Sequence, residues 1–327
     1  MTVVERVALE VSADRKMPPV QGVLVEGPVV DAKFLDSYIA FGFMVGGSIA
    51  ALVWAFWQGI GWIEISVFVG TFVMSTIGIG FMHRYFVHRS FRCGPVMRTL
   101  LAAIATMAVQ GSVLKWVSNH RRHHAHSDKP GDVHSPYYDG AGNRHVSFRK
   151  GMMHAQGGWV WDQATTDAGY YAKDILADPI AMFFTRTRWY WYAMSAVFIP
   201  GALGYALGGV HAMIGCVLFS GLFRSYVMTM ATSLVNSVCH SDGRYGYRRF
   251  ETNDGTTNEL VTTILTFGEG LHNNHHRFPR DAYLSHAWYE IDINGLIILG
   301  LVKLGLVHDI FAGGARQQSR PASLREP

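Results

Sequence analysis

His120-Arg-Arg-His123-His124 and His272-Asn-Asn-His275-His276 decide how this chain is read. In each stretch the histidines fall at i, i+3 and i+4, positions that share one face of a helix. Three imidazoles on one face are half of a metal site. A third cluster, His83-Arg-Tyr-Phe-Val-His88, has a spacing of five. Five helical residues turn through roughly 140°, so His83 and His88 are expected to diverge. On that reading His83 ends a buried helix, His88 lies beyond it, and the two serve different metals. Asn236 and His240 form a further i,i+4 pair at the end of an apolar run. Nine histidines and one amide are too many for one metal and suit two.

Imidazole serves zinc, copper, iron and nickel alike. Zinc sites usually close at four ligands, or at three and a water. Four or five histidines per metal, with no cysteine pair nearby, fit iron with room for O2 better. An accidental histidine-rich surface loop is a poor alternative. The HxxHH spacing occurs twice, and each cluster abuts an apolar stretch.

Of 327 residues, 49% are hydrophobic and 16% charged, which is too apolar for an ordinary soluble domain. The net charge of +4 gives no reason to expect a nucleic-acid partner. Cys93, Cys216 and Cys239 form no motif and no expected disulfide.

Residues 37–57 hold no lysine, arginine or acid and are long enough to span a bilayer. Residues 61–82 form a second span, interrupted by Glu64, which is read as a solvated end residue. Residues 189–209 and 210–235 form a helical hairpin turning at Gly208-Gly209, with Arg224 inside the second leg, where an arginine is either functional or a structural partner of backbone carbonyls. Residues 95–119 carry Gln110, Ser112 and Lys115 and read as one amphipathic helix at the interface. The stretch 291–307 is too short and too charged for a fifth span. The fold class is therefore all-α integral membrane, with four transmembrane helices and a helical cap carrying the metal site. Residues 1–34 and 312–327 are expected to be tails around a domain at 35–311. Arginines and lysines cluster on the side that holds every histidine box, which places the site and both termini in the cytosol.

The boxes, together with Asn-Ser-Val-Cys-His (236–240), Gly-Glu-Gly-Leu-His (268–272) and Asp128…Gly131-Asp132-Val-His-Ser-Pro136, resemble the membrane fatty-acid desaturases. The resemblance is to the acyl-CoA Δ9, or stearoyl-CoA, branch and covers about residues 35–311. It implies an enzyme that uses two Fe2+ ions, O2 and electrons to place a cis double bond in an acyl chain. It makes His83, His88, His120, His123, His124, His240, His272, His275 and His276 the metal ligands, with Asn236 holding a water on one iron. Ligating imidazoles need partners for their other nitrogen; Asp128, Asp132 and Glu269 stand beside the boxes. His126, His134, His145, His154, His211, His286 and His308 are assigned to no metal.

The resemblance also implies a bent apolar tunnel, with Gln110, Trp116 and Thr232 at its kink and Thr71 and Ser75 setting its depth for a long chain. It departs at Gln156, where relatives commonly carry histidine. The substrate would be a fatty acyl thioester of CoA or of acyl-carrier protein, with a phospholipid ester as a further alternative. The chain has no haem module, dinucleotide fingerprint or cysteine cluster, so electrons would come from a ferredoxin, rubredoxin or cytochrome b5-like donor with its reductase. Rival readings are acetylenase, hydroxylase or decarboxylase chemistry on the same scaffold, and a non-enzymatic metal transporter. A transporter would need ligands at bilayer depth rather than at the ends of spans.

Overall fold

The computed structural model describes residues 20–313 and is mostly helical. Three helices are long and apolar enough to cross a membrane: Pro28–Gln58, Trp62–Val87 and Arg188–His240. The first leaves Phe43, Ile49, Leu52, Val53 and Phe56 on its surface, an apolar face that water would not tolerate at this length.

The first helix starts at Pro28 rather than at residue 37. Proline suits a first helical position, and Lys33 and Asp36, which follow it, are paired instead of solvated. Lys33 donates to the carbonyls of Asp162 (2.7 Å) and Ala164 (2.8 Å). Asp36 accepts two hydrogen bonds from Arg188, at 2.8 and 2.7 Å. Residues 20–27 are not a loose tail either, because Val23–Leu24 pairs with Thr165–Thr166. The rest of the expected tails, 1–19 and 314–327, lies outside the described residues.

Glu64 is buried, which corrects its reading as a solvated end residue. Its carboxylate folds back to accept from the Gly61 amide at 3.0 Å, capping the second helix. The third apolar helix is broken at Gly208 and Gly209, whose backbone is non-helical. Its two legs run antiparallel. Gly204 packs on Ala212, Gly201 on Val217 and Gly221 on Ala196, so small residues let the backbones meet. Arg224 is fully buried between the legs. It donates to the Ser195 carbonyl (3.1 Å), the Ser195 hydroxyl (2.9 Å) and Ser75 Oγ (2.8 Å).

The single helix expected over 95–119 is two helices, Pro95–Met107 and Val113–His126. Val109 (φ 61°) and Gly111 (φ 97°) break it, and Ser112 caps the second piece by accepting from the Lys115 amide. A β-branched residue in that backbone region is strained, and strain of this kind collects at functional sites. Helix Ile293–Lys303 is eleven residues long and does not reach across a bilayer.

A methyl group on Gly221 would fall inside the Ala196 carbonyl oxygen, whereas one on Gly46 meets nothing within 4 Å. Gly221→Ala should therefore cost about 1–3 kcal/mol by overpacking. Thermal unfolding in detergent should show a lower midpoint for Gly221→Ala and an unchanged or higher one for Gly46→Ala.

Candidate metal centre

The second apolar helix does not end before His83. It widens into a π-helical segment, Met82–Val87, and the His88 amide bonds the His83 carbonyl at 3.2 Å. In that i→i+5 geometry residues five apart lie over one another. His83 and His88 therefore share a face, with ring centroids 4.8 Å apart. This corrects the expectation that they diverge to different metals: an ordinary α-helical turn separates them, and the π-turn removes the separation. Arg121 donates to the Phe86 and Val87 carbonyls that the π-turn leaves free.

The nine histidines gather into two groups. One is His83, His88, His120, His124 and His275; the other is His123, His240, His272 and His276. The i, i+3, i+4 trios are split between them. His120 and His124 go to the first group and His123 to the second, while His275 goes to the first and His272 and His276 to the second. Within groups the Nε2 atoms converge. His83 and His275 are 3.0 Å apart, His124 and His275 2.8 Å, His240 and His272 2.9 Å.

Four carboxylates settle which nitrogen carries the proton. Asp132 holds His123 Nδ1 at 2.9 Å, Asp128 holds His240 Nδ1 at 2.9 Å, Asp254 holds His276 Nδ1 at 2.7 Å, and Glu269 holds His83 Nδ1 at 2.5 Å. A carboxylate only accepts, so each of these Nδ1 atoms donates and each Nε2 presents a lone pair. His123 Nε2 and His276 Nε2 then face one another at 3.3 Å as two acceptors. A cation between them satisfies both, and a hydrogen bond cannot. His88 Nε2 is likewise buried without a hydrogen-bond partner among the described residues. The donor set fits metal ions.

Burial, and then the crowding of neighbouring imidazoles, holds His88, His120, His123, His124, His272 and His275 well below the usual histidine pKa. These rings are neutral at physiological pH, the form in which an imidazole can bind a metal. Burial pushes the Glu269 carboxyl up, but Arg84 and His83 outweigh it and bring it down to about 2. Asp254 is also raised by burial and then carried below the ordinary carboxylate range by His276 and Thr256.

Asp128, Asp132 and Glu269 thus take the roles expected of them. Sequence reasoning missed the fourth, Asp254, which sits in a loop with no spacing relation to a box. It also missed Arg84, which is fully buried and uses all five N–H groups: two on Glu269, two on Asp292 and one on the Ala282 carbonyl. Asn273 and Asn274, inside the third box, are buried and staple it down. Asn273 accepts from the Arg249 and Phe250 amides, and Asn274 donates to the Leu284 carbonyl and Glu290. Two amides flanked by histidines on a short helix were the available signal.

A cavity of about 190 Å³ leads to the site. Gln110, Trp116, Thr232, Asn236 and His120 line it, with Phe41 and Met44 from the first helix. Trp116 stacks on the His120 ring at 4.9 Å. Gln110 donates to Thr229 Oγ1 at 3.0 Å. Gln156 lines the same cavity, accepting from Ser237 Oγ and donating to the Met230 carbonyl. Thr71 and Ser75 do not line it. Thr71 is bonded to the Ser220 carbonyl, and Ser75 to Arg224.

The sequence profile of the Fatty acid desaturase family matches residues 60–293. The chain belongs to the fatty acid desaturase family. Among its relatives, the hex-5-enoyl-[acyl-carrier protein] acetylenase of Moorena producens (strain JHB) is 35% identical over 268 residues, 81% of this chain and 82% of the relative. The sn-1 stearoyl-lipid 9-desaturase of Anabaena variabilis is 32% identical over 246 residues, 74% of this chain and 80% of the relative. The icosanoyl-CoA 5-desaturase of Limnanthes douglasii is 30% identical over 262 residues, 78% of this chain and 65% of the relative. Membership makes the chain a membrane-associated oxidoreductase acting on fatty acyl chains.

Arg84→Met should leave Glu269 and Asp292 as unpaired buried charges and cost about 3–5 kcal/mol. Asp254→Asn should keep the fold but weaken metal binding about 10–100-fold, since His276 loses the partner that orients it. Calorimetry separates the two: a lower unfolding midpoint for the first, and weaker metal titration at a near-normal midpoint for the second.

Proposed function

We propose that this protein desaturates a saturated fatty acyl chain in an O2-dependent reaction, at a pair of irons held by its nine histidines. What supports the reading is the largely apolar cavity that reaches His120, with Trp116 stacked on that ring and Gln110 and Thr232 in its lining. His83, His88, His120, His124 and His275 would hold one Fe2+. His123, His240, His272 and His276 would hold the other, with Asn236 placing a water. Iron bound there supplies O2 activation strong enough to take hydrogen from an unactivated CH2.

The remaining work belongs to the chain itself. The cavity wall orients two adjacent methylenes toward His120, a positioning effect that converts an encounter into a fixed approach. Trp116 and Phe41 exclude water from the apolar part, while Gln110 and Thr232 mark the bend. Carboxylates on Nδ1 keep the ring orientations fixed as the metals change charge. Two electrons arrive from a separate ferredoxin, rubredoxin or cytochrome b5-like donor. We read the hairpin at Arg188–His240 as two crossings, which makes four in all, with the site and both termini in the cytosol.

The preferred product is a Δ9-type cis double bond on an acyl-CoA, the activity of the branch that the motifs resemble. A second reading, an acetylenase on acyl-carrier protein, is favoured by the 35% identity to such an enzyme over 81% of the chain. Thr71 and Ser75 give no support to a tunnel deepened for long chains, because their hydroxyls are engaged elsewhere.

Expression in cells that lack unsaturated fatty acids should yield a new monoenoic acid, absent with His120→Ala. Mass spectrometry of the product locates the bond and separates an alkene from an alkyne or an alcohol. An unchanged lipid profile with both protein forms folded would contradict desaturation of free cellular acyl pools.

A further inference from the structure

The acyl cavity touches one of the nine histidines, His120. A second cavity, of about 390 Å³, approaches from elsewhere and touches two, His124 and His276. These two rings stack at 4.5 Å and come from different metal groups. His276 is also the one member of its group that is not fully buried. The walls of this second cavity are polar: Ser127, Thr252, Asn253 and Asp254, with Lys129 and Arg277 at the rim. Ser127 Oγ donates to Asp254 at 3.0 Å, and Asp254 in turn holds His276.

Desaturation has a solvent balance that an acyl cavity cannot meet. The chain gives up two hydrogens, a separate donor gives two electrons, solvent gives two protons, and one O2 leaves as two waters. While the acyl chain fills its own cavity, that route is closed and apolar, and polar species cross apolar space at high cost. We propose that the polar cavity at His124 and His276 is a solvent port. Protons enter and product water leaves through it, reaching both metal positions while the acyl cavity stays occupied. The proposal rests on the desaturase reading for its need, though not for its geometry.

Asn253 and Ala125 line the port, are exposed, and hold none of the histidines. Asn253→Trp and Ala125→Trp should lower kcat on the order of tenfold, because water exchange would then limit the cycle. KM for the acyl substrate and the metal content should not change. A readout without turnover uses a water-soluble ferrous chelator on iron-loaded protein whose acyl cavity is filled with product. Iron should leave wild type readily and both tryptophan variants several-fold more slowly. Asn253→Cys, folded first and then blocked with a bulky hydrophilic thiol reagent, should reproduce the slow release, with wild type treated alike as control. Unchanged release in the blocked protein would overturn the port. Slow release with no desaturation in any form would retain the port and reject the desaturase reading instead.

Discussion

An imidazole offers a lone pair to a metal only when its other nitrogen keeps the proton, and this structure is built around enforcing that. Asp128, Asp132, Asp254 and Glu269 each accept from an Nδ1 atom, and the Nε2 atoms behind them converge. Each carboxylate is then held in its own right. Asp128 and Asp132 are tied into one loop, since the Asp128 amide donates to Asp132 at 2.9 Å. Asp254 accepts from Ser127, Thr252 and Thr256. Glu269 is gripped by Arg84, which reaches on to Asp292 and so draws the helix Ile293–Lys303 against the site. The cap surrounds these contacts, and the apolar helices deliver His83, His88 and His240 to them.

Placing so much charge under the cap would be costly if any member were unpaired. Arg84 has every donor satisfied by two carboxylates and a carbonyl. Asn258, Asn273, Asn274 and Glu290 form a second closed network beneath the third box. His123 Nε2 and His276 Nε2, whose Nδ1 protons are fixed by Asp132 and Asp254, face one another with no proton to share. That pairing of two acceptors is the feature a cation would satisfy.

Much of this was legible in the residues. The HxxHH repeats pointed to clustered histidines, which the fold gathers into two groups, and the carboxylates beside the boxes, Asp128, Asp132 and Glu269, do reach imidazoles. The apolar runs gave the long helices, and Gly208-Gly209 gave the hairpin turn. What escaped reading depended on backbone geometry or on distance in sequence. A spacing of five means divergence on an α-helix and coincidence on a π-turn, and nothing in His-Arg-Tyr-Phe-Val-His says which applies. Asp254 reaches His276 across a loop, so adjacency could not find it. The break at Val109–Gly111 needs a positive φ at a valine, which propensity argues against. Thr71 and Ser75 looked like cavity residues because they are small and precede His83. Their hydroxyls instead serve helix packing.

The most direct measurement is the metal stoichiometry of the purified protein, by elemental analysis, beside His88→Ala and His240→Ala. Two irons per chain in the wild type, with about one retained in each variant, is the result expected if the histidines form two groups with these members. A single metal in wild type, or loss of both from either variant with the fold intact, would contradict the two-centre arrangement.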